Sequence, residues 1–520
     1  MIGVLASLGQ PLPVDPTPIS RPGVDWGAVA PMLALVGGAL ALMLVSSFVR
    51  GRRSTVGYTI FTCVVALGAI GAAIPLWLEV NDDDRGPFST LAGTVGVDGF
   101  STFVTFLLGA AVILAALFID DYLRRERLEG VEPYVLLLLS ATGGVIMAHA
   151  NDLIVLFLGL EVLSMAVYVL AAMHRRRVTS QEAGIKYLVL GAFSSAFFLY
   201  GIAMIYGGTG TTNLVTILET FSTSALTDDG LILAGLALLL VGLGFKVAAV
   251  PFHFWTPDVY QGAPSPMVVW MASGVKVAGF AGLMRVFDLA FSSYAVDWQP
   301  LIFAVAVATM LLGAVLAVVQ TDVKRMMAYS SISHAGYVLV GVQAATDQGV
   351  ESALFYLATY VFLIAGTFGI ITLVGRRGDS HHSLDDYRGL ARSRPVLALT
   401  LALFLFAQAG VPFTSGFFAK FYVINAAVDA GSTWLAAVAM LSAVIAAFVY
   451  LRIAVSMYMA DPTTEAVGGG DAVAPPRIAV PAGATIALIA CVIVTIGAGL
   501  WPGSIADLAR DAVPVLATFG

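Results

Sequence analysis

The sequence predicts an all-α integral membrane protein with about fourteen transmembrane helices. Hydrophobic residues make up 59% of the 520 residues and charged residues only 11%, a composition outside the range of soluble domains. Apolar stretches long enough to cross about 30 Å of hydrocarbon recur along the chain. Prolines interrupt the seventh and twelfth of these stretches, so we expect both helices to be discontinuous.

The predicted spans contain roughly 17 to 25 residues each. They lie near 26–49, 55–80, 95–118, 132–150, 153–173, 183–207, 230–250, 265–288, 299–320, 327–344, 350–375, 395–428, 432–459 and 478–502. Residues 1–25 have no basic amino-terminal region and contain a proline-rich stretch. We therefore expect an extramembrane extension there rather than a signal peptide.

Basic residues in the links predict the orientation. The links after odd-numbered spans contain Arg50, Arg52, Arg53, Arg124, Arg125, Arg127, Arg175, Arg176, Arg177, Lys324, Arg325, Arg376, Arg377, Arg388, Arg392, Arg394 and Arg477. The links after even-numbered spans offer only Arg85. Because basic residues accumulate on the cytoplasmic side, we expect the odd links to be cytoplasmic and both termini to lie outside.

Several classes of function are disfavoured. Cys63 and Cys491 lie alone in separate apolar runs, which does not suggest a disulfide framework, a metal cage or an iron–sulfur cluster. The net charge of −7, with arginines confined to short loop clusters, does not suggest a nucleic-acid partner. The sequence also lacks a phosphate-cradling glycine loop and a histidine pair with haem or zinc spacing. Proton transfer is the chemistry that remains.

The distribution of lysine is the strongest functional signal. The chain has only five lysines, which are Lys186, Lys246, Lys276, Lys324 and Lys420. All except Lys324 fall inside predicted spans, although a charged lysine at mid-bilayer costs about 2.5 to 3.5 kcal/mol on insertion scales. Lysine can lose its proton when buried and arginine effectively cannot. The four lysines are therefore predicted to be titratable groups in the membrane.

Glu161 in the fifth span is the expected acidic partner. It lies eight residues beyond Leu153, roughly 12 Å into the bilayer. We expect it to pair with Lys246, which precedes the helix break at Pro251, where freed carbonyls can be satisfied by water. Withdrawal of the glutamate would lower the lysine pKa and release the proton. A purely structural pair is the alternative.

The other lysines suggest an order of transfer. Lys276, in the eighth span, is a natural next acceptor, and Lys420, after the second break, could pass the proton towards the outside. Lys186 lies about one turn into the sixth span, and one interpretation is that it biases the Glu161 and Lys246 pair. The alternative for Lys186 is a side chain that extends to the membrane interface.

Two histidines could hand protons between lysines. His253 lies in the first break and His334 in the tenth span, within the sequence AYSSISHAGY. A neutral imidazole both donates and accepts, although either ring could also be a hydrogen-bonded packing residue. His381 and His382 are expected to be solvated in a cytoplasmic loop. We expect Asp98 and Asp258 to cap helices.

A short recurrence indicates an internal duplication. Val-Pro-Phe occurs at 250–252 and again at 411–413, each time beside an intramembrane lysine. The two breaks are five spans apart, and an odd offset reverses the direction of crossing. Five-helix units at 132–288 and 299–459 would then be inverted copies, preceded by three helices at 26–118 and followed by one at 478–502.

Three motifs resemble the antiporter-like membrane subunits of respiratory complex I, the proton-pumping NADH:quinone oxidoreductase. They are PFHFWTPDVYQGAPSP, AYSSISHAGY and GVPFTSGFFAKFYV, and the resemblance covers about residues 90 to 460. The sister subunits L and M and the related multisubunit cation/proton antiporters tend towards a TWLPDA-like motif where this chain has FWTPDVYQGAP. Lysine at Lys420 and the lack of a long carboxy-terminal helix also favour the N-type branch.

The resemblance implies roles for individual residues. Glu161 and Lys246 would form the ion pair of the inner half-channel, with Lys186 and His253 modulating it. Lys276 would be the central relay, and Lys420 would lead to the outer exit. The amino-terminal stretch before Trp26 and the 461–477 loop depart from the family pattern and lie outside the polar axis.

The resemblance also implies cofactors and partners. No cofactor is expected in this chain, because FMN, the iron–sulfur clusters and quinone would lie in or at partner subunits. The partners would be other membrane-arm subunits, including sister antiporter-like subunits, in a bacterial cell membrane. One alternative is a cation/proton antiporter module without a redox partner, and another is a passive scaffold whose lysines serve only for packing.

Overall fold

The computed structural model describes residues 23–48, 55–82, 85–128, 130–223, 229–460 and 480–515, which are almost entirely helical. The α-helices are α1 Trp26–Phe48, α2 Thr55–Val80, α3 Gly99–Glu126, α4 Glu132–His149, α5 Leu153–Ala172, α6 Val178–Thr209, α7 Leu214–Thr223, α8 Asp229–Val247, α9 Trp255–Gly262, α10 Ser265–Ala272, α11 Gly274–Met284, α12 Ala295–Val318, α13 Val323–Gln343, α14 Asp347–Val374, α15 Leu390–Ser393, α16 Pro395–Ala409, α17 Ser415–Asp429, α18 Thr433–Met459, α19 Ala482–Leu500 and α20 Gly503–Arg510. The shorter elements are a π-helical turn at Arg285–Ala290, 3-10 turns at Ser292–Tyr294 and Leu384–Tyr387, and an antiparallel hairpin of β1 Phe88–Thr90 and β2 Val95–Val97.

The helices confirm an all-α integral membrane protein with roughly fourteen transmembrane helices. In the described part of the chain, 12 helical segments are long and apolar enough to cross a membrane, with α10, α11 and the π-helical turn counted as one. The tenth predicted span is α13, whose lysine, serines and histidine keep it below that apolar threshold. The twelfth is divided between α16 and α17, so each half is too short to qualify alone.

Some expectations lie outside the described residues. These are the extension over residues 1–22, the arginine-rich link at 49–54, and the 461–479 loop that contains Arg477.

The seventh span is discontinuous, as predicted. Helix α8 ends at Val247, where Ala248 takes up a left-handed conformation with φ of 63°. The carbonyl of Phe245 accepts a hydrogen bond from the Trp255 indole at 3.0 Å, and the Val250 amide donates to the Thr309 hydroxyl at 2.9 Å. Side chains therefore satisfy backbone groups that the break removes from the helix ladder.

The twelfth span is discontinuous as well. Gly410 ends α16 with φ of 92°, and Phe413 has φ of 66° before α17 begins. Here the Lys420 amine donates to the carbonyl of Ala409 at 3.1 Å. The lysine thus contacts a carbonyl that the break has freed.

The eighth span contains an interruption that the sequence analysis did not predict. Ser273, with φ of −102° and ψ of −82°, separates α10 from α11. Residue 274 has room only for glycine, since a Cβ there would overlap the Trp270 ring. Because this junction depends on ring packing rather than on proline, hydropathy alone does not reveal it.

The third span begins later than residue 95, because residues 95–97 form β2. Asp98 then caps α3 by accepting from the Ser101 amide at 2.9 Å, which confirms the predicted cap. The same carboxylate also pairs with Arg285 at 2.6 Å, and both side chains are fully buried. The pair ties α3 to the π-helical turn that ends the eighth span.

The helices differ in how much apolar surface they expose. Within the described chain, the most apolar 18-residue windows of α14 and of Ser265–Ala290 are 94% and 100% buried, whereas those of α1, α12, α18 and α19 are 39% buried. The outer helices present apolar side chains such as Leu44, Leu301 and Val444 to the surroundings. The interior helices are the ones that hold the polar side chains described next.

Candidate functional site

Lys246 is buried at the end of α8, where only 3% of the residue is exposed. Its amine donates to the Ser164 hydroxyl of α5 at 2.6 Å. The nitrogen also lies 5.6 Å from the centre of the Tyr168 ring and 5.7 Å from that of Tyr187. One hydroxyl and two aromatic faces therefore surround the amine.

The predicted direct ion pair between Glu161 and Lys246 is not formed. No oxygen of Glu161 lies within 4.0 Å of the Lys246 nitrogen, and both residues belong to the described part of the chain. Glu161 is half-buried and accepts a short hydrogen bond from the Ser195 hydroxyl of α6. Ser164 lies three residues after Glu161 on the same helical face, so its hydroxyl takes the lysine bond instead.

Lys276 is buried in α11 and contacts α13. Its amine donates to both the hydroxyl and the carbonyl of Ser331, with 2.6 Å to the hydroxyl. The Tyr360 hydroxyl also donates to the Ser331 hydroxyl, at 2.8 Å. Gly279 lies one turn beyond Lys276 and leaves space for the aliphatic part of the Lys246 side chain. A Cβ at residue 279 would lie only 3.3 Å from the Lys246 Cγ. Lys246 and Lys276 thus lie on neighbouring helices.

His334 lies at the centre of a tyrosine cluster. Its Nδ1 is 2.6 Å from the Tyr356 hydroxyl and its Nε2 is 3.1 Å from the Tyr450 hydroxyl. Tyr450 is in turn 2.6 Å from the Ser330 hydroxyl. The ring is buried and both nitrogens have hydroxyl partners, which is the polar setting that the serines of AYSSISHAGY suggest.

Lys420 joins this cluster from α17. Its nitrogen lies 4.9 Å from the centre of the Tyr337 ring. The Tyr337 and Tyr356 rings are stacked with centroids 6.1 Å apart, and Tyr356 binds His334. Lys276, His334 and Lys420 are therefore connected through serine and tyrosine side chains.

Lys186 does not lie beside Lys246. It lines a pocket with Glu182, Asp258 and Arg325, which we call the charged pocket. Its amine is 2.6 Å from Asp258 and 2.7 Å from Glu182, and 41% of its side chain is exposed. Asp258 also binds Arg325 at 2.6 Å. The expectation that Asp258 is only a helix cap is therefore wrong, because the carboxylate joins two cations of different helices. The charged pocket has a volume of about 360 Å³.

A buried ionic cluster borders the charged pocket. Asp379 is fully buried and binds Arg177 at 2.8 Å, the His382 imidazole at 2.8 Å and the Ser265 hydroxyl at 2.6 Å, with Lys324 at 3.5 Å. Burial by itself raises the pKa of Asp379, but the cationic Lys324, together with His382 and Arg177, holds that pKa well below its usual range.

Lys324, which the sequence places in a cytoplasmic link, is fully buried in the first turn of α13, where it also donates to the Ala263 carbonyl at 2.8 Å. One expectation is wrong at this cluster. His382 was expected on the surface and is only 4% exposed. Lys324 and His382 are both buried because the link after α14 packs over the ends of α10 and α13.

His253 is buried in the first break, 6% exposed, with its ring 4.6 Å from that of Phe254. Its Nδ1 has no hydrogen-bond partner among the described residues. The contacts of the described chain do not join it to Glu161 or Lys246 directly. Its predicted modulating role therefore stays a prediction.

Sequence reasoning missed the hydroxyls of the site. Ser164, Ser195, Tyr356 and Tyr450 each form a hydrogen bond with one of the predicted ionisable residues, and the Tyr360 ring lies against the Lys276 amine. A usable signal was helical spacing, since Ser164 follows Glu161 by three residues and Tyr360 follows Tyr356 by four. Their partners lie on other helices and could not be read from one segment.

The site consists of amines, hydroxyls, imidazoles and carboxylates. Among the described residues, no group of three or more His, Cys, Asp or Glu side chains could hold a metal ion. Cys63 is half-buried, Cys491 is buried, and neither forms a disulfide. The arrangement can hold protons and pass them between side chains.

The chain is similar to several known proteins. Residues 150–446 match the family model described as NADH:quinone oxidoreductase/Mrp antiporter, transmembrane. NADH-quinone oxidoreductase subunit N of Trichlorobacter lovleyi is 39% identical over 494 residues, covering 95% of this chain and 98% of that protein. A chain of respiratory complex I from Thermus thermophilus with bound aureothin is 30% identical, with a TM-score of 0.75 over 92% of this chain and 99% of that chain.

A chain of the Mrp complex from a Dietzia species has the same fold, with a TM-score of 0.82 at 22% identity over 94% of this chain and 96% of that chain. The fold alone thus does not separate the two kinds of complex. The family model covers more than half of the chain, and the relative from Trichlorobacter is similar over nearly the whole length. The chain belongs to the family of NADH-quinone oxidoreductase N subunits, which are membrane subunits of respiratory complex I.

Proposed function

We propose that this chain moves protons across the membrane through a buried relay of Lys246, Lys276 and Lys420. The observation that carries the proposal is the set of contacts from Lys276 through Ser331 and the tyrosine cluster to Lys420. A hydroxyl both donates and accepts, and ring contacts join Tyr360 to His334 and Tyr337 to Lys420, so side chains reorient or water bridges at those two points to complete the transfer. Redox chemistry is assigned to other subunits and would drive this chain from a distance.

The relay begins at the charged pocket. With odd links on the cytoplasmic side, the pocket around Lys186 and Asp258 faces the cytoplasm and supplies protons to Lys246. Ser164 binds the Lys246 amine, and Glu161 modulates the lysine through its charge rather than by direct contact. Lys186 and His253 adjust the same half of the molecule.

The relay continues through the centre. Lys246 passes its proton to Lys276 on the neighbouring helix. From Lys276 the proton passes by Ser331 and Tyr360 to His334, and then to Lys420 at the second break.

The proposal also covers the cellular location and the membrane topology of the protein. The protein lies in the bacterial inner membrane with both termini on the outer side, and the units at 132–288 and 299–459 act as inverted repeats. Helix breaks at α8 to α9 and at α16 to α17, each beside a lysine, support this arrangement.

The partners are other membrane-arm subunits, including sister antiporter-like subunits. FMN, iron–sulfur clusters and quinone bind in or at partner subunits and not in this chain. The names of the relatives, NADH-quinone oxidoreductase and respiratory complex I, support this assignment.

Lys246→Ala tests the proposal in the assembled complex. We expect fewer protons pumped per NADH oxidised in proteoliposomes, because the variant lacks the first buried amine. Arg388→Ala removes an exposed cation in a loop and serves as the matched control. Undiminished pumping by an assembled Lys246→Ala complex would favour the scaffold alternative.

Purification distinguishes a complex I subunit from the remaining alternative, a cation/proton antiporter. We expect the chain to be isolated together with NADH-oxidising and iron–sulfur subunits. Isolation in a complex that lacks those subunits would favour the cation/proton antiporter.

A further inference from the structure

Gln408 is a fully buried glutamine near the end of α16, two residues before Gly410 of the second break. Its amide nitrogen is 2.7 Å from the Thr367 hydroxyl of α14. Its amide oxygen is 3.4 Å from the Ser330 hydroxyl of α13. Gln408 therefore joins α14 to the hydroxyls that surround His334.

The Thr367 hydroxyl determines which way the Gln408 amide points. That hydroxyl has one hydrogen, which it donates to the Leu363 carbonyl at 2.8 Å. It can therefore only accept from Gln408, and the amide nitrogen is the atom of Gln408 that can donate. The amide oxygen, which can only accept, must then face Ser330.

The direction of each hydrogen bond from Ser330 to His334 follows from this orientation. Because the Gln408 oxygen only accepts, the hydrogen between the two residues belongs to the Ser330 hydroxyl. Ser330 then accepts from the Tyr450 hydroxyl, which is 2.6 Å away. Since Tyr450 has given its only hydrogen to Ser330, its oxygen accepts from Nε2 of His334 at 3.1 Å. Nε2 therefore carries a hydrogen.

A neutral imidazole has one N–H group, so Nδ1 of His334 is left as an acceptor. The Tyr356 hydroxyl lies 2.6 Å from Nδ1 and is its donor. Bulk water does not compete for these bonds, because each side chain of the set is at most 4% exposed. The set comprises Ser330, His334, Tyr356, Thr367, Gln408 and Tyr450.

Nδ1 faces the side chains that lead to both neighbouring lysines. The Tyr356 ring lies 6.5 Å from the Tyr360 ring, which the Lys276 amine contacts at 5.6 Å. On the other side, Tyr356 stacks on Tyr337, whose ring faces Lys420. The Tyr356 hydroxyl therefore lies between the two lysines of the relay.

Nε2 faces a chain of hydrogen bonds that cannot pass a proton on. That chain runs through Tyr450 and Ser330 to Gln408 and ends at the Leu363 carbonyl. A carbonyl oxygen accepts but has no hydrogen to give. The chain can hold the Nε2 hydrogen in place, but it offers no exit for it.

We propose that Gln408 is a positioning residue that keeps His334 in the tautomer with its hydrogen on Nε2, so that proton exchange takes place at Nδ1 alone. This inference rests on the proposed function. The Tyr356 hydroxyl gives its proton to Nδ1 while its oxygen accepts one from the Lys276 side, which makes His334 an imidazolium cation. Nδ1 then returns a proton to the Tyr356 oxygen while the Tyr356 hydroxyl proton passes to the Lys420 side. The Nε2 hydrogen stays in place throughout.

Solid-state NMR of the complete complex with isotope-labelled histidine measures the tautomer. The His334 signals are identified by subtracting the spectrum of the His334→Ala complex. We expect the hydrogen on Nε2 in the unmodified complex. In Gln408→Met, the Ser330 hydroxyl loses its acceptor and can donate to Tyr450 instead. The ratio of the Nδ1–H to the Nε2–H tautomer should then rise roughly five- to tenfold, the effect of one hydrogen bond.

Proton pumping by Gln408→Met in proteoliposomes tests the consequence for transfer. Methionine preserves the length and volume of the side chain. We expect the rate of pumping to fall by about half or more, because only part of the population retains the competent tautomer. Gln343→Met, at another buried glutamine at the end of α13, is the matched control and should pump normally.

The outcomes separate the tautomer from the relay. Hydrogen on Nδ1 in the unmodified complex, or an unchanged tautomer ratio in Gln408→Met, would overturn the positioning role. A changed ratio with pumping equal to that of Gln343→Met would overturn the restriction of proton exchange to Nδ1. Normal pumping by Lys246→Ala would refute the relay and leave the tautomer result standing. If Gln408→Met does not assemble, Tyr450→Phe interrupts the same chain and should change the tautomer ratio in the same direction.

Discussion

Lys276→Met is expected to slow proton transfer through this chain by roughly 10²-fold or more, the usual contribution of a positioned acid–base group. Methionine preserves the length and volume of the side chain, so the loss is chemical rather than a packing defect. The amine binds the hydroxyl and the carbonyl of Ser331, and that contact links α11 to the tyrosine cluster. The measurements are the rate of proton pumping and the number of protons pumped per NADH by the reconstituted complex.

Lys276→Arg is the informative companion variant. Arginine retains the positive charge but effectively cannot lose its proton. If Lys276 acts by titration, both variants should pump fewer protons per NADH than the unmodified complex. If arginine restored pumping, charge alone would suffice, and the assignment of Lys276 as a proton carrier would be refuted. Assembly of each variant is verified by co-purification with its partner subunits.

Asp379→Ala is expected to destabilise the protein by about 3 to 5 kcal/mol, the cost of breaking a buried ion pair. The carboxylate binds Arg177 and His382 and lies close to Lys324, and its removal leaves a fully buried ammonium group with less compensation. It also accepts from the amide and the hydroxyl of Ser265 at the start of α10. The measurements are the melting temperature and the yield of assembled complex.

Asp385→Ala is the matched control for Asp379→Ala. Asp385 lies six residues further along the same link, and 74% of its side chain is exposed. We expect its effect to remain within about 0.5 kcal/mol, as for most surface substitutions. A melting temperature for Asp379→Ala equal to that of the control would contradict the structural role of the cluster.

The pH dependence of the Asp379 contribution has a definite sign. The folded-state pKa lies well below the usual range, so the unfolded state binds the proton more readily. The stabilisation is present above the unfolded pKa of about 3.9 and is lost as the pH falls through the folded value. Neutral solutions therefore retain it in full, and only strong acid removes it.

Local features of the sequence were sufficient to predict that the protein spans a membrane, roughly how many times it does so, and which lysines are buried. Four lysines in otherwise apolar stretches identified Lys246, Lys276 and Lys420 as buried amines, since burial follows from span length and hydropathy. Prolines near residues 251 and 412 predicted both helix breaks, because proline acts on its own backbone. The spacing of Asp98 and Ser101 was enough for a helix cap.

The partners of these groups were decided by tertiary packing. Ser331 lies 55 residues from Lys276, and Ser164 lies 82 residues from Lys246. Which helices become neighbours depends on the shape of every side chain between them, and no local pattern contains that information. The same packing gave the Lys246 amine Ser164 rather than Glu161 as its partner, and it buried Lys324 and His382 under a polar link. Titratable residues can thus be identified from sequence alone, whereas the route between them is a property of the folded protein.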